Sequence, residues 1–185
     1  MSTALARYRI SAAEFARMGE AGVFPAERRL ELVDGEVVEM SSIGPRHGNS
    51  VASATDVLAG HLAGRWTLRV QSPLQLGPHD VPQPDLALVT RRNYGDAHPT
   101  AADALLVIEV ADTSLLTDRR DKLPRYAAAG IPETWLLDLA GGRLERHSEP
   151  GLAGYQQVQS ARRRETLGST VLPGLTFDVT GLLGP

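Results

Sequence analysis

Two carboxylates and one amine stand out because each breaks the pattern around it. Residues 104–111, Ala-Leu-Leu-Val-Ile-Glu-Val-Ala, form an apolar run of the kind that makes a strand buried on both faces, and Glu109 interrupts it. A second apolar run, Leu-Ala-Leu-Val at 86–89, opens on Asp85 directly after a proline. A buried carboxylate is costly without a cation or metal beside it. If the two strands are neighbours, these carboxylates meet, and they repel unless a hard cation or a shared proton joins them. Oxygen donors of this kind suit magnesium, which keeps several waters and takes phosphate oxygens as further ligands. Such an ion polarises a phosphodiester and activates a water. A nearby ammonium would orient that water or neutralise developing charge. Lys122 is the candidate. Of 19 Lys+Arg, 18 are arginine and one is lysine. Arginine suffices for solvated charge, so the single position that kept lysine reads as one needing a compact ammonium.

The elements that must position these groups follow from local pattern. Residues 11–20 read as a short helix, with Ser11 as N-cap, Glu14 completing a capping box, and Phe15 and Met18 on one face. Residues 29–40 read as a hairpin turning at Asp34-Gly35. Within it Leu30 and Leu32 share one face and Glu31 shares the other with Val33, so by pattern alone Glu31 is an exposed strand residue. After Gly44-Pro45, residues 46–63 read as a helix with Val51, Ala54, Leu58 and Leu62 at helical spacing. His47 falls in its first turn, where a lone histidine is ordinarily structural or exposed. Residues 66–76 read as a strand in which Pro73 marks a bulge or edge. The polar stretch 90–103, with Arg91, Arg92, Tyr94 and His98, is either a substrate loop or a solvated connection. The apolar strand 104–111 leads into a helical segment over 115–130. Pro124 kinks that segment or starts a shorter helix, and Gly130 fits its C-terminal cap. A buried strand at 133–139 follows, then strands at 143–148 and 155–160. Arg162-Arg163-Arg164 reads as a solvated hairpin end. The tail through Phe177 reads as a closing strand or cap.

Composition narrows the chemistry. At 185 residues, 42% apolar and 22% charged, the chain is expected to form a single domain over 1–185. It has no cysteine, which removes disulfides, thiolate metal sites and a cysteine nucleophile. No apolar stretch approaches the roughly 18 residues of a membrane span, and the N-terminus lacks a signal-peptide core, so the expected place is cytoplasmic with no membrane partner. A net charge of −3 provides no general attraction to nucleic acid. No glycine-rich phosphate loop, His-Glu-x-x-His or Gly-x-Ser-x-Gly motif is present.

Pro84-Asp85, with Glu109-Val-Ala following 24 positions after the aspartate, resembles the active-site motif of the PD-(D/E)XK nucleases. The chain as a whole resembles one branch of them, the Uma-two family. The matching stretches are Leu30-Glu-Leu-Val-Asp-Gly-Glu, Gln83-Pro-Asp-Leu, Val107-Ile-Glu-Val-Ala, Asp121-Lys-Leu-Pro-Arg-Tyr and Gly130-Ile-Pro-Glu-Thr-Trp. The resemblance implies a restriction endonuclease-like α/β fold: a mixed central sheet flanked by helices, with an N-terminal helix and hairpin. It implies Mg (or Mn) held by Asp85, Glu109 and Glu31, with Glu31 as an additional acid, and DNA as the substrate of an endonuclease. One position departs from the general motif. The lysine expected two residues after Glu109 is Ala111, and the resemblance supplies Lys122 from the following helix instead. Tyr126 is a supporting or packing residue one turn beyond Lys122, and His47 matches a family position without a clear role. A homodimer is expected only by analogy with the two strands of a duplex. The alternative reading is a catalytically inactive DNA-binding or assembly module on the same fold.

Overall fold

The computed structural model describes residues 6–61, 64 and 66–184. The chain opens with helix α1 (Ala12–Glu20), then strands β1 (Leu30–Val33) and β2 (Glu36–Glu39), and helix α2 (Pro45–Ala59). Strands β3 (Trp66–Val70), β4 (Leu86–Thr90) and β5 (Ala104–Ala111) follow. Next come helix α3 (Leu115–Thr117), a π-helical turn (Asp118–Lys122), helix α4 (Leu123–Ala128) and strand β6 (Glu133–Asp138). Strands β7 (Arg143–Gly151), β8 (Gly154–Arg162), β9 (Thr166–Gly168) and β10 (Thr176–Asp178), and helix α5 (Val179–Leu183), complete it.

Six strands form one sheet in the order β3-β4-β5-β6-β7-β8. Only β5 and β6 are parallel, joined by the crossover that carries α3 and α4; the other neighbours are antiparallel. Alternation sends successive side chains to opposite faces. Leu86, Leu88, Leu106, Ile108, Val110, Trp135 and Leu137 pack with Val51, Ala54 and Leu58 of α2 and Leu182 of α5. Ala87, Val89 and Val107 pack on the other face with Tyr126 of α4 and Ile131. The middle strands are covered on both sides, which is why they read as unbroken apolar runs. The mixed sheet, its flanking helices and the N-terminal helix and hairpin are as the sequence leads one to expect.

The hairpin turns at Asp34 and Gly35, both at positive φ (53° and 78°), as a tight two-residue turn requires. Helix α1 has its capping box, but none of its residues is buried. Other expectations shift. The strand expected over 66–76 ends at Val70. Gln71 takes φ 44°, its N–H goes to the Asp85 carbonyl at 2.9 Å, and Leu74 and Leu76 donate to Pro82 and Asp80. Pro73 has no N–H to continue a ladder, so the segment folds back along the entry to β4. Helix α2 stops at Ala59; Leu62, expected on its apolar face, lies outside the described residues. Arg163 is tied to the Gly184 carbonyl at 2.7 Å, and Phe177 is buried edge-on against Trp135, so the tail caps the sheet. No helix among the described residues is long and apolar enough to cross a membrane.

Candidate active site

The pairing of β4 with β5 sets Leu86 opposite Ile108 and Ala87 opposite Val107. One more step in the same register places Asp85 opposite Glu109, on the α4 side of the sheet. Asp85 Oδ2 accepts the Val110 N–H at 2.9 Å, and Oδ1 lies 2.9 Å from His47 Nε2 and 3.4 Å from Gln71 Nε2. Burial alone would raise the Asp85 pKa. The His47 hydrogen bond, the Val110 N–H and the Lys122 charge outweigh it and hold the carboxyl below its ordinary value. The same contact raises His47 above an ordinary histidine, against burial and the nearby Arg29 charge. Histidine 47 is therefore a partner of the first acid, delivered by the opening turn of α2 after Gly44-Pro45.

Glu109 is 2% exposed. Lys122 Nζ donates to its Oε2 at 3.1 Å and the Tyr126 hydroxyl to its Oε1 at 2.5 Å. Burial pushes the Glu109 pKa up to about 8; Asp85 and Asp118 add to the rise, while Lys122 and Tyr126 oppose it. Lys122 also lies 3.9 Å from both Glu31 and Asp118. Burial works against its charge, but the three carboxylates outweigh burial and raise its pKa above the ordinary lysine value. It remains an ammonium.

The π-helical turn explains why Lys122 arrives there. Pro124 has no N–H, and in a regular helix its ring would meet the Arg120 carbonyl. The chain widens instead, and the Leu123 N–H reaches the Asp118 carbonyl five residues back. Asp118 and Lys122 then project together into the site. Ser114 Oγ holds Asp118 Oδ2 at 2.5 Å, and Arg119 anchors the turn to Glu145 of β7. Glu31 comes from β1, buried, with its Oε1 accepting the Gln83 N–H at 2.7 Å. That bond ties the hairpin to the segment entering β4.

All four residues singled out in the sequence thus border one cleft of about 360 Å3, together with His47, Asp118 and residues 40–44. Exposure of Glu31 is overturned: it faces inward because the hairpin packs on residues 81–83, where Leu32 bridges Val81. The loop 91–100 leaves β4 at the end opposite Asp85 and does not line this cleft. There Arg92 pairs with Asp103 at 2.7 Å and stacks on Tyr94. Ala111 is buried against Leu123 and Leu136, so the cation beside Glu109 comes from the crossover segment rather than from β5. Asp118 and the His47–Asp85 pair were missed. The only forewarning was the four-residue spacing of Asp118 and Lys122.

The donor set is chemically right for a hard cation: two buried carboxylates, Asp85 at the entry to β4 and Glu109 on β5, with the Asp85 charge adding to the cost of ionising Glu109. It is a two-carboxylate arrangement. Among the described residues no three of His, Asp and Glu gather closely enough to hold one ion. Glu31 reaches the others through Lys122. Magnesium commonly takes one or two carboxylates and completes its shell with water and phosphate, so the pair fits it.

A family model described as "Uma2: Putative restriction endonuclease" matches residues 12–180. The chain belongs to the Uma2 family. The Uma2 match begins with α1 and reaches into α5, so it takes in every residue of the cleft. The chain is also similar in fold to a crystal structure from Anabaena variabilis ATCC 29413, described as "a putative nuclease belonging to DUF820". The two share 13% identity and a TM-score of 0.65, over 94% of this chain and 97% of that one. No curated protein matches this Uma2 chain.

Proposed function

We propose that this chain is a metal-dependent endonuclease that hydrolyses phosphodiester bonds of DNA in the cleft over β4 and β5. Family membership supports nuclease chemistry. The observation that carries the mechanism is the ammonium of Lys122, 3.1 Å from one of two buried, opposed carboxylates. Asp85 and Glu109 would hold Mg or Mn, with Glu31 as a further acid acting beside them. The bound ion would supply charge for the phosphoryl oxygens and lower the pKa of a water. His47 and the Val110 N–H fix the orientation of Asp85. Tyr126 fixes one oxygen of Glu109 and leaves the other toward Lys122. Lys122, restrained by Glu31 and Asp118, would orient the attacking water and offset charge growing on the phosphate.

Calorimetric titration of Mg and Mn, alone and with a short duplex, into wild type and Glu109→Gln tests the reading alongside cleavage of duplex, single-stranded and branched DNA. Metal binding and metal-dependent cleavage confined to wild type are expected. A second reading rests on the single ammonium of Lys122 lying within 3.9 Å of three acids: the cluster is a structural ion network in a DNA-binding module. Metal-independent DNA binding without turnover, unaltered in Glu109→Gln, would decide for it.

A further inference from the structure

Among the described residues, the cleft holds a cation, Arg29, with a buried donor that makes no hydrogen bond. Arg29 precedes β1 and closes the hairpin through its carbonyl, which accepts the Met40 N–H at 2.9 Å. The two-residue repeat of an extended chain puts its side chain on the same face as Glu31, and it lines the same cleft as Glu31, His47, Asp85 and Glu109. Its Nη2 is buried and has no hydrogen-bond partner among the described residues.

This is unexpected in a cleft rich in carboxylates, each of which is engaged elsewhere. Asp85 is held by His47 and Val110, Glu109 by Lys122 and Tyr126, Glu31 by Gln83, and Asp118 by Ser114. At the rim Glu39 pairs with Arg28 and Asp112 with Arg46. A buried guanidinium donor without an acceptor is costly. Its planar fork matches two phosphate oxygens.

We propose that Arg29 binds a phosphate of the nucleic-acid backbone and so seats the strand over Asp85 and Glu109; this rests on the nuclease reading above. A polyanion entering a cleft lined by acids needs an unneutralised cation, and Arg29 is placed to be one. Its role is to bind and position the strand. It takes no part in proton transfer.

The test is fluorescence anisotropy of a labelled short duplex, with calcium replacing magnesium, over a salt series. Arg29→Ala is expected to weaken binding about tenfold and to flatten the slope of log Kd against log salt by about 0.9, one phosphate contact. Arg29→Lys is expected to keep the slope and lose part of the affinity. The melting temperature of Arg29→Gln, which keeps most of the stem, is expected to be no lower than that of wild type, because Nη2 gives up no hydrogen bond among the described residues. A structural role would lower it. Should Arg29→Ala not fold, Arg29→Gln enters the same titration with the stem kept. If wild type binds DNA and the variant binds with equal Kd and slope, the assignment to Arg29 falls and the nuclease reading stands. If wild type binds no DNA, both fall, and that is read from the wild-type curve alone.

Discussion

Lys122 has three carboxylates within 3.9 Å, so its removal leaves a cluster of buried negative charge. Breaking a buried pair on one side costs about 3–5 kcal/mol. Lys122→Met is therefore expected to lose about that much in urea unfolding. Above pH 8, where Glu109 is ionised, Glu109→Gln in the same chain is expected to restore part of the loss, a non-additivity that a double-mutant cycle measures. The acid at the centre also sets a pH dependence. Glu109 titrates near 8 in the folded chain, against 4.5 for an ordinary glutamate. Between those values the folded state binds the extra proton, so this group's contribution to stability is greatest below 4.5 and is lost as pH rises through about 8. Metal binding must displace that proton, so affinity moves the opposite way. Apparent magnesium affinity is expected to rise toward pH 8 and level above it, with close to one proton released per ion at pH 7. Calorimetry in buffers of different ionisation enthalpy reads that number. A flat affinity between pH 6 and pH 8 would contradict the assignment of Glu109 as a ligand. Asp85, Glu109 and Lys122 were visible in sequence because each violates its surroundings. Asp118 was not, since in Thr-Asp-Arg-Arg-Asp-Lys every charge looks alike until the turn decides which ones face inward.

At the scale of elements, the runs that become β4, β5 and β6 were legible because burial on both faces leaves a continuous apolar signature. The Asp34-Gly35 turn was legible because few residue pairs tolerate two successive positive φ values. The stretch 71–76 was misjudged. Its apolar residues Leu74 and Leu76 look like strand, but their N–H groups close a local fold-back onto Pro82 and Asp80. The crossover was half legible: Pro124 announced an irregularity, but not that it would take the form of a π-helical turn. That turn makes the site sensitive to a residue that touches none of its acids. Pro124→Ala restores an N–H and removes the ring, so the turn can tighten to a regular helix and rotate Lys122 relative to Glu109. Unfolding free energy is expected to change little or rise, while metal-dependent cleavage falls at least tenfold. Equal activity in the variant would show that the widened turn is not what places the ammonium.

Across the whole molecule the sheet divides two tasks between its faces. The face under α2 and α5 carries the large apolar cluster, with Trp135 and Phe177 in edge contact at 5.1 Å between ring centres. The α4 face gives up part of its apolar packing to hold Glu109, Asp85 and Tyr126 around polar contacts. Local pattern located both faces' strands and read the tail as a closing strand or cap, but it could not say which helix the tail packs on. Phe177 lies in a strand of three residues, and its burial depends on α5 folding back over α2, a contact with no local signature. If the faces are separable, a cavity made in one should not alter chemistry in the other. Phe177→Ala is expected to cost about 3–5 kcal/mol in unfolding free energy. At temperatures where the variant is still folded, it should leave magnesium affinity and its pH profile unchanged, because none of the site's polar contacts passes through that ring. Glu109→Gln should do the reverse, abolishing metal binding without comparable loss of stability. Loss of metal affinity in folded Phe177→Ala would mean instead that α2, which carries both Leu58 in the core and His47 beside Asp85, transmits packing changes through the sheet to the first acid.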